Sequence, residues 1–234
     1  MVQERVLCSV LHLKCGHSCG TTFSLDYKNV QYLITAKHIF KELNYPKEYT
    51  IQVLLDNGYQ DIKVEIFYHT TNAVDIAVMK PIPRQIHTPI FNNKFDDAGI
   101  TWGQDVFFLG FPSFHTHKKE LVQYNDNLAK LPDRNIPAPF IKKACLSGMI
   151  TLEGDSKWLL LDGHNNTGFS GGPVCFKPFD SESMKICGVV TSFMPEYNRI
   201  YDNFGNEMQL YSRENSGIIH ACHIKHCFEI LDNM

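Results

Sequence analysis

Short apolar runs broken by turn signals recur along the whole chain. Residues 6–13 are mostly apolar, and residues 20–25 and 32–36 follow, separated by a turn at Asp26-Tyr27-Lys28-Asn29. Residues 49–55 and 62–68 alternate apolar and polar positions around Asp56-Asn57-Gly58, as a hairpin with one buried face does. Residues 73–79 form another apolar run with one carboxylate, Asp75, set into it. A second series comprises residues 105–110, 144–152, 158–161, 174–176, 186–191 and 217–221. These runs are too short for helices and rich in β-branched and aromatic residues, so each predicts a strand. Residues 38–43 read as one helical turn before Pro46. The period changes at the C-terminus, where Ile224, Cys227, Phe228 and Leu231 fall at helical spacing and predict a helix over 223–231.

Two stretches separate the strands. Residues 80–100 turn polar and carry Pro81, Pro83 and Pro89, which suits a connection between lobes. Residues 113–139 are charged and without period, a long loop with a short helix expected near 121–131. Many short strands with a single terminal helix predict an all-β fold, and two series of similar length argue for two barrels. The expected division is 1–95 for the first barrel, 96–220 for the second and 221–234 for the helix, within one functional unit.

Composition narrows the classes of partner. At 234 residues, 44% of them hydrophobic and 20% charged, the chain has ample core for one domain of two lobes. The formal net charge of −3 gives no footprint for nucleic acid or an anionic membrane. No apolar run approaches the roughly 20 residues of a membrane span. The start, Met1-Val2-Gln3-Glu4-Arg5-Val6-Leu7-Cys8, lacks a basic region followed by a sustained apolar one, so no signal peptide is read and a cytoplasmic location is expected. Eight cysteines raise the question of metal. Cys15-Gly16-His17-Ser18-Cys19 and Cys222-His223-Ile224-Lys225-His226-Cys227 place soft ligands close together, but neither follows an established zinc pattern. Reduced, mostly buried thiols and no cofactor are the expectation.

The candidate chemistry centres on Gly168-Phe169-Ser170-Gly171-Gly172-Pro173. A serine hydroxyl becomes a nucleophile when a base takes its proton and donors hold the charge of the tetrahedral intermediate. Glycines beside it permit a backbone on which N–H groups converge, and Gly168 and Ser170 would supply the two oxyanion-hole donors. Gly168 to Gly172 also satisfies the G-x-S-x-G elbow of α/β-hydrolases, but that elbow leads into a helix. Here Pro173-Val174-Cys175-Phe176 reads as a strand, so the base must be sought upstream. His38 ends the buried run 32–36, where its ring would be held, and Asp75 is an ionised group costly to bury unless paired.

These three segments resemble the trypsin-like, chymotrypsin-fold serine peptidases. Thr35-Ala36-Lys37-His38 matches T-A-x-H, Asp75-Ile76-Ala77-Val78 matches D-[IL]-A-[VL], and the serine turn with Val174 matches G-x-S-G-G-P-[LV]. Gly20-Thr21-Thr22-Phe23, Gly110-Phe111-Pro112 and Leu161-Asp162-Gly163 add supporting similarity. The resemblance implies two six-stranded antiparallel barrels and an endopeptidase acting on protein or peptide through an acyl-enzyme. His38 would be the general base and then general acid, Asp75 its orienting partner and Ser170 the nucleophile. In the digestive branch a cleaved N-terminal amine pairs with an acid just before the serine; here that position is Phe169, and the similarity is greatest to bacterial trypsin-like domains. The resemblance also implies a specificity pocket floored by His164 and walled by Thr191, Ser192 and Phe193. With no carboxylate at that floor, poor cleavage after Lys or Arg and a preference for small, polar or acidic residues are expected. Two other readings remain open: a catalytically silent barrel kept for binding, and a viral polyprotein-processing protease.

Overall fold

The computed structural model describes residues 2–82, 94–113 and 137–234. The chain opens with a short helix, α1 (Glu4–Ser9), followed by β1 (Val10–Cys15), β2 (Ser18–Tyr27) and β3 (Val30–Thr35). The apolar run at residues 6–13 therefore does not form a single strand. Val6 and Val10, four apart, join the same buried cluster, so the run serves one helical face before it becomes β1. A 3-10 turn (Lys37–Leu43) leads to β4 (Glu48–Leu55), β5 (Gly58–Tyr68) and β6 (Ala77–Ile82). The hairpin at Asp56-Asn57-Gly58 forms as expected, with Gly58 at φ +95°.

These six strands close into a barrel in the order β1-β2-β3-β6-β5-β4, sealed where Leu13 pairs with Val53. Alternation fills it: Ile51, Val53 and Leu55 point inward from β4, meeting Leu11, Leu33, Val64 and Met79. Asp75 lies before β6 rather than within a strand, because the chain bends through residues 70–73 and pairing resumes only at Ala77.

The second lobe comprises β7 (Lys94–Phe95), β8 (Asp105–Gly110), β9 (Phe140–Leu152), β10 (Ser156–Asp162), β11 (Pro173–Phe176), β12 (Lys185–Tyr201) and β13 (Glu207–His223). Its order is β11-β8-β9-β10-β13-β12-β7, and an additional β11–β12 pairing closes six of these strands into a second ring. β7 pairs in parallel with Lys185 and Ile186 of β12, so this sheet takes in Lys94 and Phe95, ahead of the boundary expected at residue 96. The helix α2 (Lys225–Asp232) follows, burying His226, Cys227, Ile230 and Leu231. Among the described residues no helix is long and apolar enough to cross a membrane. The helix expected near residues 121–131, and Pro83 and Pro89 of the connection, lie outside the described residues.

The two lobes share a core. One buried cluster joins Phe23, Leu25 and Ile34 of the first barrel to Leu109, Cys175, Val189 and Cys222 of the second. β12 and β13 are 17 residues each. Only their inner ends were expected from the apolar pattern. Their outer halves form a two-stranded ribbon that runs beyond the barrel to a turn where Asp202 Oδ1 accepts the N–H groups of Phe204 and Asn206.

Candidate active site

The link between β10 and β11 carries the serine turn. Gly168 and Gly171 adopt φ of +98° and +88°. A Cβ on Gly168 would stand 2.2 Å from the Phe111 carbonyl oxygen, and one on Gly171 would stand 2.1 Å from that of Thr21. Both positions therefore require glycine for conformation and for space. Phe169 is fully buried against Phe108, with ring centroids 5.4 Å apart. Gly171 N–H donates to Val190 O at 2.8 Å and Val190 N–H to Gly172 O at 2.8 Å, which fixes the turn on β12. From the first barrel, Thr21 N–H donates to Ser170 O at 2.9 Å. The buried Thr21 hydroxyl donates to Gly168 O at 2.8 Å and accepts Phe111 N–H at 3.0 Å. Among the described residues the N–H groups of Gly168 and Ser170 have no hydrogen-bond partner.

A cation supports the same turn. Lys142 Nζ donates to His164 O and to Asn166 Oδ1, each at 2.6 Å, and lies 5.4 Å from the centre of the Phe169 ring. Burial lowers its pKa from the ordinary lysine value.

His38 sits at the start of the 3-10 turn, just past β3, and two bonds from Asp75 fix it. His38 N–H donates to Asp75 Oδ1 at 2.8 Å, and the ring Nδ1 bonds Asp75 Oδ2 at 2.7 Å. An ionised carboxylate only accepts, so Nδ1 carries the proton and Nε2 keeps its lone pair. Asp75 O accepts Lys37 N–H at 3.3 Å. From the second barrel, Cys222 Sγ accepts Asp75 N–H at 3.3 Å. The serine turn abuts the end of β3: a Cβ on Gly171 would be 2.2 Å from Thr35 Oγ1 and 3.0 Å from Ala36 N. Ser170 Oγ donates to Thr191 O at 3.1 Å, and no hydrogen bond joins it to His38 in this conformation.

The structure thus joins His38 to Asp75 and Ser170 to Thr191, and sets the serine turn against the end of β3 and Ala36, two residues before His38. His164, expected at a pocket floor, is exposed and engages Lys142 through its carbonyl. The buried polar side chain of that segment is Asn165, whose carbonyl and side-chain oxygens accept Asn215 Nδ2 at 3.1 and 3.2 Å. Thr191 is buried, Ser192 is exposed beside His220 Nδ1 at 3.2 Å, and Phe193 lies 5.5 Å below the Arg213 guanidinium. Thr21, Lys142 and Cys222 were not singled out as site residues. Thr21 had a signal, a hydroxyl inside an otherwise buried strand beside Gly20. Lys142 and Cys222 had none, because their partners are 22 and 147 residues distant in sequence.

The eight cysteines are free thiols, six of them buried. Among the described residues the group close enough to hold a cation is His69, His226 and Glu229, a set the sequence did not mark out. Its hydrogen bonds argue against a metal. His226 Nε2 accepts Lys157 N–H at 2.9 Å and His69 Nδ1 accepts Thr71 N–H at 3.0 Å. The other nitrogens, which face Glu229 Oε2 at 2.6 and 3.1 Å, therefore carry the protons. A metal-bound imidazole donates from its second nitrogen, and both second nitrogens here face donors. The group is a hydrogen-bonded lock that joins α2 to the segment before Asp75.

No protein-family model matches the sequence, and no curated protein matches it. Similarity is found among solved structures. The Rv3671c protease from M. tuberculosis in its active form shares 14% identity at a TM-score of 0.59, over 97% of this chain and 81% of that one. The HtrA-type protease AlgW with tripeptide shares 16% identity at a TM-score of 0.58, over 98% of this chain and 60% of that one. The serine endoprotease from Yersinia pestis shares 15% identity at a TM-score of 0.56, over 100% of this chain and 66% of that one. The chain has the double-barrel fold of trypsin-like serine protease domains, HtrA-type proteases among them.

Proposed function

We propose that the protein is a serine endopeptidase. The observation that carries this reading is the two-point grip of Asp75 on His38, which leaves Nε2 as the nitrogen free to act as a base. Ser170 would leave its bond to Thr191 O by rotating about χ1, giving its proton to His38 Nε2 as its oxygen attacks the scissile carbonyl carbon. The carbonyl oxygen would take up the negative charge and receive the unpartnered N–H groups of Gly168 and Ser170. Collapse of this intermediate breaks the C–N bond, and His38 returns the proton to the leaving amine. Water, deprotonated by His38, then hydrolyses the Ser170 ester and restores the hydroxyl. Substrates would be proteins or peptides. His164 is exposed and the buried polar residue beside it is the neutral Asn165, with no buried carboxylate between Gly163 and Ser170, which supports poor cleavage after Lys and Arg. The buried free thiols support a reducing, cytoplasmic setting.

The Ser170–Thr191 bond favours a second reading, a barrel retained for binding with a silent serine. Labelling with a fluorophosphonate separates the two. The peptidase reading expects one label per chain at Ser170, lost in Ser170→Ala and reduced by at least a thousandfold in His38→Ala. It also expects the double variant to hydrolyse peptides no more slowly than either single one, since triad members act as a unit. Unlabelled, folded wild-type protein would establish the silent barrel.

A further inference from the structure

Asp75 lies in the link between β5 and β6, and both ends of that link are tied to one stretch of the second lobe. At one end Asp75 N–H donates to Cys222 Sγ at 3.3 Å. At the other, His69 Nε2 bonds Glu229 Oε2 at 3.1 Å. Between these ties His69 Nδ1 accepts Thr71 N–H at 3.0 Å and Thr71 O accepts Val74 N–H at 3.1 Å. A path of hydrogen bonds therefore runs from Glu229 to the residue before Asp75. The turn between β9 and β10 closes the third side. A Cβ on Gly154 would stand 2.7 Å from Thr71 Cγ2, and Asp155 pairs with Lys225 at 2.6 Å. Lys157 N–H donates to His226 Nε2 at 2.9 Å. His226 is 1% exposed, and its Nδ1 meets the same Glu229 oxygen at 2.6 Å.

This arrangement has no place for a second proton on His226. Nδ1 donates to Glu229 and Nε2 accepts from Lys157, so a proton on Nε2 sets two hydrogens face to face and breaks that bond. The charged and titratable groups around the ring come from three elements. They are Lys225 and Glu229 on α2, Asp155 and Lys157 on the turn, and His69 from the link, its ring centroid 5.4 Å away. Lys47 and Glu65 line a cavity that opens beside His69 and Glu229. Burial lowers the pKa of His226 below the ordinary 6.5, with the Glu229 carboxylate opposing it. The bonded state is therefore complete above that pH and is lost as the pH falls below it.

We propose that His69, His226 and Glu229 are positioning residues for Asp75, and that a proton taken up by His226 releases them, so that acid slackens the hold of Asp75 on His38. The effect on rate rests on the peptidase reading; the release itself does not. Once released, the link keeps its tie to Cys222 and loses the one through His69. Asp75 must meet two His38 hydrogens at once, at 2.8 and 2.7 Å, and such a geometry tolerates little displacement.

Release can be read apart from catalysis by amide hydrogen exchange in Ser170→Ala protein, corrected for the intrinsic pH dependence of exchange. Between about pH 7.5 and pH 5, protection of the Thr71 and Lys157 amides should fall about tenfold. Adding His226→Gln, which keeps an oxygen for Lys157 N–H and takes up no proton, should hold that fall to about twofold or less. The rate of fluorophosphonate labelling then reports on Asp75. On its acid limb the logarithm of the rate should fall with a slope of about two in the wild type, one proton going to His38 and one to His226. In His226→Gln the slope should be about one. Glu229→Gln cuts the tie at every pH, and should show the same slope of about one with a rate about fivefold lower at pH 7.5. A merely structural role would lower the melting temperature and leave the slopes alike. Protection that falls equally in both proteins, or equal slopes in wild type and His226→Gln, overturns the proposal. A wild-type Ser170 that does not label sinks the peptidase reading instead, and the exchange measurement still decides the release.

Discussion

Thr21 shows how one buried side chain can hold two lobes together. Its hydroxyl gives a proton to Gly168 O and takes one from Phe111 N–H, so both oxygen functions are spent across the lobe boundary. Thr21→Val keeps the shape and leaves both backbone groups unpaired, which should cost about 2–4 kcal/mol in denaturant unfolding and slow labelling of Ser170. His12 acts on stability through pH. Burial, with Lys14 adding to it, lowers its pKa to about 4 from an ordinary 6.5. The unfolded chain then binds the extra proton between those values, so stability is full above pH 6.5 and falls as the pH drops toward 4. Between pH 6.5 and 5 the loss at this one site should be about 2 kcal/mol. Unfolding at the two pH values should show the drop in the wild type and a smaller one in His12→Gln.

At the scale of elements, the serine turn is rigid because several unrelated parts converge on it. Gly171→Ala would combine a left-handed backbone with overlap against Thr21 O and Thr35 Oγ1, and should destabilise the fold by about 3 kcal/mol or more in thermal melts. Lys142 supports the turn from β9, with two charge-assisted bonds to residues 164 and 166. Lys142→Met should lower the rate of fluorophosphonate labelling about tenfold with little change in melting temperature, and Lys142→Arg should recover part of it. An unchanged labelling rate in Lys142→Met would show that the turn stands without the cation. The fold of this element was legible early, since Gly168, Gly171 and Pro173 allow little else. Its supports were not, because nothing in the alternation of residues 140–152 distinguishes Lys142 from Lys143, which pairs with Asp105 at the surface.

At the scale of the whole molecule the lobes share one core, and Cys222 Sγ bonds the N–H of Asp75 across the boundary. Local unfolding of one barrel would expose that shared cluster, so the chain should unfold in one cooperative transition. Fluorescence of Trp102 and Trp158 from the second lobe and thiol labelling of Cys8 and Cys15 from the first should give coincident midpoints in urea; separated midpoints would mean independent barrels. The strand pattern predicted two barrels because period-2 alternation is a local property that each strand carries alone. Residues 6–9 misled that reading, since four apolar-rich positions fit a helical turn as well as a strand and only packing against the shared core decides. The ribbon escaped it for the opposite reason: residues 192–216 bury neither face, so alternation leaves no trace in their hydrophobicity.

The sequence by itself determined the strand series, the terminal helix and the motifs around His38, Asp75 and Ser170, because each rests on the conformational limits of glycine, the periodicity of a half-buried strand, or short segments read one at a time. The tertiary structure alone decided that Asp75 precedes its strand and grips His38 twice, that His164 faces solvent while Asn165 is buried, and that Thr21, Lys142 and Cys222 support the site. It alone decided, too, that the His69, His226 and Glu229 group is turned the wrong way for a metal. Those outcomes depend on which donor meets which acceptor between segments up to 160 residues apart. Such contacts are chosen by the closure of the two barrels, and no local pattern carries them.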